Sequence, residues 1–181
     1  LNFNGQSVLP AVRSIKDIES LFKSEFTYIV LLNSHIGQLK SLVQLAKNNG
    51  KKVLLHADLV QGLRNDEYAA QFLCHDIRPA GLISTRKSVV LTAKKHKLIS
   101  IQRLFLLDSI ALESSYKLLE TTQPDFIEVL PGVMPHIIRE VYEKTGIPIV
   151  AGGLIREKRE VKEALQAGAT AVTTSRAELW S

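Results

Sequence analysis

The sequence predicts a compact (β/α)8 barrel of the TIM type, a single domain over residues 1–181 that ends in a short or truncated last helix. Three observations predict it. Short apolar runs alternate with stretches of helical spacing, which argues for parallel βαβ units. Apolar strands of this kind suit a sheet covered on both faces. The runs number eight, the count that closes such a sheet into a barrel. A typical barrel has about 250 residues, so the loops here must be short. The alternative is an open doubly wound sheet. No Gly-x-Gly-x-x-Gly follows the first run, which weakens a dinucleotide-binding version of it.

Residues 8–12 form the first strand; Pro10 is awkward there because it has no ladder donor. Ser14 caps the first helix, and Asp17 stands near its start, where the dipole favours an acid. Ile15, Ile18, Leu21 and Phe22 recur at helical spacing. Strand two covers residues 28–32. Helix two begins near Ile36, carries Leu39, Leu42, Val43 and Ala46 on one side, and closes at Gly50. Strand three covers 53–58, and Asp66 opens a third helix that runs through Phe72 to Ile77. Strand four covers 81–85, followed by a helix with Val89, Val90 and Ala93. Strand five covers 98–102 and extends toward Phe105. Asp108 or Ser109 caps helix five, which carries Leu112, Tyr116 and Leu119. Strand six covers 126–130. Pro135 sits in the first turn of helix six, where a missing N–H is tolerated, and that helix ends at Gly146. The run 148–155 is strand seven and 171–174 is strand eight, with a helix over 157–166 between them. Glu178, Leu179 and Trp180 remain for the last helical stub.

Composition narrows the class. Hydrophobic residues make up 45% of the chain, enough for a substantial core. No apolar run is long enough to span a bilayer, and no charged-then-apolar signal peptide is visible. A single cysteine, Cys74, excludes an internal disulfide and suits a cytoplasmic setting; its apolar surroundings place it in the core. The formal charge of +5 is compatible with a polyanionic partner. His35, His56, His75, His96 and His136 are scattered without metal-ligand spacing, so no metal or other cofactor is expected. No nucleophile elbow is present.

Polar residues inside such strands need a reason, and ligand sites of this fold gather at the C-terminal mouth. His56 and Asp58, both in strand three, are two apart and so share a face. Arg86 ends strand four, Arg103 lies near the end of strand five, and Glu128 sits inside strand six between apolar neighbours. Arg13 follows strand one. These six are candidates for a polar ring around a small ligand. Taken singly, His56 reads as a core histidine, Asp58 as a loop cap and the arginines as solvated side chains. The loops after strands seven and eight commonly hold a phosphate in this fold. Gly152 and Gly153 let a ligand approach the backbone, while Thr174 and Ser175 add hydroxyls beside backbone N–H groups.

Two groups of basic residues stand out. Lys47, Lys51, Lys52, Lys94, Lys95, Lys97 and Lys144 fall near helix ends, on the face opposite the mouth. Complementing helix dipoles accounts for them, and a nucleic-acid patch is the alternative. Arg156, Lys158, Arg159 and Lys162 lie near the mouth, interspersed with Glu157, Glu160 and Glu163.

The chain resembles the glycerol-3-phosphate-responsive antiterminator family, which controls glycerol uptake operons. The resemblance rests on Leu9-Pro10-Ala11, Leu55-His56-Ala57-Asp58-Leu59, Ile83-Ser84-Thr85-Arg86 and Ile101-Gln102-Arg103. It continues through Pro124 to Gly132 around Phe126-Ile127-Glu128-Val129-Leu130, then Ala151-Gly152-Gly153 and Thr173-Thr174-Ser175. The ordered set covers nearly the whole chain. It implies a regulator without catalytic activity that binds glycerol 3-phosphate as effector and acts on the leader mRNA of glycerol genes. The family assigns no RNA-contacting residues. The expected arrangement puts the phosphate on Gly152, Gly153, Thr174 and Ser175. Glu128 and Asp58 would accept from the glycerol hydroxyls, with His56, Arg86 or Arg103 orienting them. Binding would then order mouth loops or favour a homo-oligomer with higher RNA affinity. The rivals are an enzyme acting on a small phosphorylated substrate and a metabolite sensor that acts through a protein partner.

Overall fold

The eight apolar runs close on themselves. In the computed structural model, which describes residues 2–181, eight parallel strands pair around a ring in chain order. They are β1 (Val8–Val12), β2 (Tyr28–Leu31), β3 (Lys52–His56), β4 (Gly81–Ser84), β5 (Ile99–Phe105), β6 (Phe126–Leu130), β7 (Ile149–Ala151) and β8 (Ala171–Thr174). β8 pairs back onto β1 with Leu9 opposite Thr173. The helices are α1 (Ile15–Ser20), α2 (Ile36–Asn48), α3 (Glu67–Phe72), α4 (Lys87–Lys95), α5 (Ser109–Thr122), α6 (Pro135–Thr145) and α7 (Lys158–Gln166). A 3-10 turn, Ala177–Leu179, stands in for an eighth helix. No helix among the described residues is long and apolar enough to cross a membrane.

Several boundaries differ from the sequence expectation for local reasons. β3 stops at His56 because Ala57–Leu59 winds into a 3-10 turn. β7 is only three residues long, and the run after it turns away through two positive-φ residues, Gly153 (+80°) and Leu154 (+60°). α3 gives way to a π-helical turn, Leu73–Ile77, that ends at a left-handed Arg78. Outside the barrel, Ser34–His35 and Val60–Gln61 form an extra parallel bridge.

Strand periodicity sorts the side chains. Outward residues pack under the helices; Leu55, Leu82 and Val89 belong to one such layer, and Ile127, Val129 and Ile138 to another. Cys74 is buried in the first of these layers, and burial pushes its thiol up to about 11. Inward residues such as Leu9, Val30, Leu54, Ile83, Ile101 and Val150 fill the barrel. Phe3 joins them from outside the sheet. Its ring stacks on Phe126 at 4.3 Å between centroids and meets Tyr28 edge-on at 5.2 Å. The segment before β1 thus closes the floor of the barrel, and only the opposite end is open.

Pro10 is accommodated by a side chain. The register pairing Ala11 with Val30 would aim an N–H at position 10 toward the Tyr28 carbonyl. Proline has none, and Gln6 Nε2 donates to that carbonyl instead, at 2.7 Å, and also to the Val8 carbonyl. Gln6 Oε1 in turn accepts from the Thr27 and Tyr28 N–H groups.

Removing the floor should be costly. Phe3→Ala deletes a side chain that is 1% exposed, and such aromatic truncations cost about 3–5 kcal/mol. Urea unfolding should show a loss of that size; a loss below about 1 kcal/mol would mean that the floor contributes little.

Candidate functional site

The open end of the barrel becomes polar by the same alternation that makes its interior apolar. Two residues beyond Leu54, Ile101, Phe126 and Ala171 stand His56, Arg103, Glu128 and Thr173, which therefore point the same way, inward. They form the base of a cavity of ≈ 260 Å³. Arg13, at the end of β1, Gly153, Leu154 and Ile155, after β7, and Thr174 and Ser175, at the end of β8, complete its polar and backbone wall.

Glu128 is the central group. Its side chain is 5% exposed, and its Oε1 lies 2.8 Å from Arg103 Nε, the neighbour directly opposite it on β5. The two are in ion-pair contact, although the N–H is not aimed along a hydrogen bond. Thr173 Oγ1 donates to Glu128 Oε2 at 3.1 Å. Burial pushes the Glu128 carboxyl upward, while the Arg103 charge and the Thr173 hydroxyl pull the other way. Arg103 also lies over the Phe105 ring, at 5.1 Å.

His56 is 2% exposed, and its Nδ1 has no hydrogen-bond partner among the described residues. Burial, then the Arg103 charge, lowers its pKa to about 3 against a weaker opposing pull from Asp58. A neutral imidazole therefore lines the cavity, and each ring nitrogen donates or accepts according to the tautomer.

Seven predicted residues are brought together at the mouth: Arg13, His56, Arg103, Glu128, Gly153, Thr174 and Ser175. The Gly153, Leu154 and Ser175 N–H groups donate to no acceptor among the described residues. The Thr174 hydroxyl accepts from Arg176 N, and the Thr174 carbonyl accepts from Trp180 Nε1.

Three predicted residues are placed elsewhere. Asp58 does not share a strand face with His56, because β3 has already ended. Its carboxylate accepts from Ser84 Oγ and from both the N–H and the hydroxyl of Thr85. It ties the ends of β3 and β4 together, with Gln102 Nε2 donating to the Ser84 and Thr85 carbonyls beneath. Arg86 caps α4 and opens into a separate groove with Glu67, Leu91 and Lys95. Gly152 is absent from the cavity wall, and its N–H is committed to the Val129 carbonyl at 3.1 Å. Its task is spatial. A Cβ there would meet Glu128 Oε2 at 2.6 Å and Thr173 Oγ1 at 2.7 Å. Glu128 reaches Thr173 across β7 through the space that Gly152 leaves free.

Sequence reasoning missed Thr173 as a site residue, although its place two residues beyond Ala171 carried the signal. No group of three or more His, Cys, Asp or Glu side chains among the described residues could hold a metal ion.

Fold and site together define a TIM-type barrel with one small polar cavity at its C-terminal mouth. The profile of the family described as "Glycerol-3-phosphate responsive antiterminator" matches residues 8–180, and the chain belongs to that family. The glycerol uptake operon antiterminator regulatory protein of Listeria monocytogenes is 48% identical, with a TM-score of 0.96 over 99% of this chain and 97% of that one. A glycerol uptake operon antiterminator-related protein of Thermotoga maritima is 30% identical, with a TM-score of 0.85 over 97% and 98%. An uncharacterized protein of Escherichia coli K12, YgcP, is 35% identical over 95% of this chain and 92% of its own length. Deoxyribose-phosphate aldolase of Aeropyrum pernix, at 16% identity, shares the fold alone.

Two outcomes test this geometry. In Gly152→Ala the added methyl collides with the Glu128–Thr173 pair; overpacking of this kind costs about 1–3 kcal/mol, and denaturant unfolding should show it. Wild-type stability in that variant would contradict the close approach. For His56, the unfolded chain gains a proton near pH 6.5 and the folded chain only near 3. His56 thus contributes its full stabilisation above about pH 6.5 and loses it as the pH falls toward 3. Unfolding curves across that window should show His56→Gln with a shallower pH dependence than wild type; identical slopes would mean that His56 titrates normally.

Proposed function

We propose that this chain is a cytoplasmic, glycerol-3-phosphate-responsive RNA-binding regulator. It promotes transcription antitermination of glycerol uptake and utilisation genes by acting on their leader mRNA, and it catalyses no reaction. The observation that carries this reading is membership, along nearly the whole chain, in a family of antiterminators named for that effector. The site supports it chemically. The Gly153, Leu154 and Ser175 N–H groups, the Ser175 hydroxyl and the exposed Arg13 guanidinium suit a phosphate. Glu128, His56 and Arg103 lie deeper and suit the hydroxyls of a short polyol. The effector must bind the RNA-competent state more tightly than the other state if it is to act as a switch.

The cavity wall contains no lysine or cysteine, so Schiff-base and thiolate chemistry find no group there. One observation favours a second reading: a buried carboxyl with a raised pKa beside a neutral histidine is the material of acid–base catalysis. Under that reading a panel of small phosphate esters would be turned over, and Glu128→Gln would abolish the turnover.

Calorimetry with glycerol 3-phosphate tests the effector site. Gly153→Asp and Ser175→Asp each place a carboxylate against the phosphate, and affinity should fall at least tenfold, or about 1.4 kcal/mol. Unchanged affinity in both variants would remove the phosphate subsite. Leader-RNA gel shifts should show affinity rising with effector and falling with salt; binding indifferent to both would sink the regulatory reading.

A further inference from the structure

The basic residues near the helix ends are not equivalent once their contacts are known. Lys51 is 6% exposed and donates to the Ser24 and Phe26 carbonyls, Lys94 donates to the Gln123 carbonyl, and Lys52 and Lys144 lie over the Tyr28 and Tyr116 rings. Each of these has a structural task, and Arg78 Nε also donates to a carbonyl, that of His75 in its own turn, at 2.9 Å. The remaining cations gather on three consecutive helices. Lys40 and Lys47 of α2 share a groove of ≈ 280 Å³ with His75 and Arg78, which belong to the π-helical turn after α3 and its cap. His75 then meets His96, at the end of α4, edge-on at 4.5 Å between ring centroids, with Lys97 next in the chain. The result is one continuous strip across α2, α3 and α4, interrupted by a single acid, Asp76. The ion pairs among the described residues all lie elsewhere, at Arg103, Arg159 and Arg176.

Backbone conformation supplies an independent sign. Arg78 and Lys97 follow helical segments at positive φ, +56° and +62°. That conformation is unfavourable for residues with a Cβ, and glycine is the usual occupant just past a helix end. Gly50, Gly146 and Gly168 fill such positions after α2, α6 and α7. Gln123 also follows a helix, α5, at positive φ (+40°); of the helix ends that hold a residue with a Cβ in this conformation, Arg78 and Lys97 are the two whose side chains extend the strip. Complementing the helix dipole is served equally well by lysines inside the last turn, such as Lys94 and Lys95, and needs no left-handed cation.

We infer that this strip, at the end of the barrel opposite the effector cavity, is the surface that binds the leader RNA; the inference rests on the regulator reading above. Three adjacent helices at 8–10 Å spacing span roughly 20 Å, enough to meet several phosphates of a single strand. The His75 and His96 rings and the Arg78 plane offer stacking faces for unpaired bases. Effector binding and RNA contact are then carried by different residues and are separable by mutation.

The test is a leader-RNA gel shift across a salt series, paired with calorimetry for glycerol 3-phosphate. Lys47→Glu, Arg78→Glu and Lys97→Glu combined should weaken RNA binding at least tenfold. They should also flatten the salt slope by about 2, at about 0.7 per lost phosphate contact on a single strand, while effector affinity stays within twofold. Lys158→Glu, Arg159→Glu and Lys162→Glu combined, on α7, make the same change of net charge and should leave RNA affinity near wild type. Arg78→Gly with Lys97→Gly should lower RNA affinity while holding or raising the melting temperature, a combination that a purely structural role would not produce. If wild type binds RNA and the strip variants bind it equally well, the strip is not the RNA surface. If the α7 control loses as much as the strip variants, net charge alone is at work and the inference falls. A wild-type chain that binds no leader RNA overturns the regulator reading, and this surface with it.

Discussion

A carboxyl group buried inside a barrel is the constraint on which the mouth depends. Glu128 has little water to solvate it, so its charge is tolerable only because Arg103 lies opposite on β5 and Thr173 donates from β8. Both partners must arrive at defined distances, which requires the registers of β5, β6 and β8 to be held and residue 152, just after β7, to carry no side chain. Burial and then the Arg103 charge depress the pKa of His56. The neutrality of the histidine, the reach of the glutamate and the bareness of the glycine are thus one electrostatic arrangement. Breaking a single partner of such a pair is usually more damaging than replacing both.

A second polar network stiffens the rim beside it. Asp58, Ser84, Thr85 and Gln102 exchange hydrogen bonds that join the ends of β3, β4 and β5. One side of the mouth is therefore tied down by side chains. The other, after β7 and β8, is made of backbone, with Gly153 and Leu154 in left-handed conformations. Leu154 carries a Cβ there and is 59% exposed. Strain of this kind persists where the surrounding structure holds it, and here it accompanies N–H groups with no acceptor among the described residues.

Much of this was legible in the sequence, because the barrel is specified by local signals. Eight apolar runs separated by capped, amphipathic stretches admit few arrangements, and Glu128 announced itself as a charge flanked by apolar residues. Ser14, Asp66 and Asp108 accept from the helix N–H groups that their types and positions suggested. What stayed hidden depended on contacts distant in sequence. Asp58 looked inward only on the premise that β3 continued past His56, and a 3-10 turn redirected it. Arg86 stood at a strand end, but which way it left the barrel is decided by packing between α3 and α4. Gly152 was recognisable as a close-approach glycine, yet the group approaching it is Glu128 from the same protein. Pro10 looked like an objection to β1 until Gln6 was seen to supply the missing donor.

The seating of Phe3 also has a bearing on how the chain is made. During synthesis Phe3 emerges long before Phe126, the ring it stacks against, and β1 waits for β8 before its second edge is paired. Until β6 and β8 have left the ribosome, an apolar stopper and an open strand edge remain without their partners. Early segments of this barrel can collapse locally, but they cannot seal. β8, the last barrel strand in chain order, both closes the sheet and brings Thr173 to Glu128, so closure of the barrel and completion of the site coincide in time.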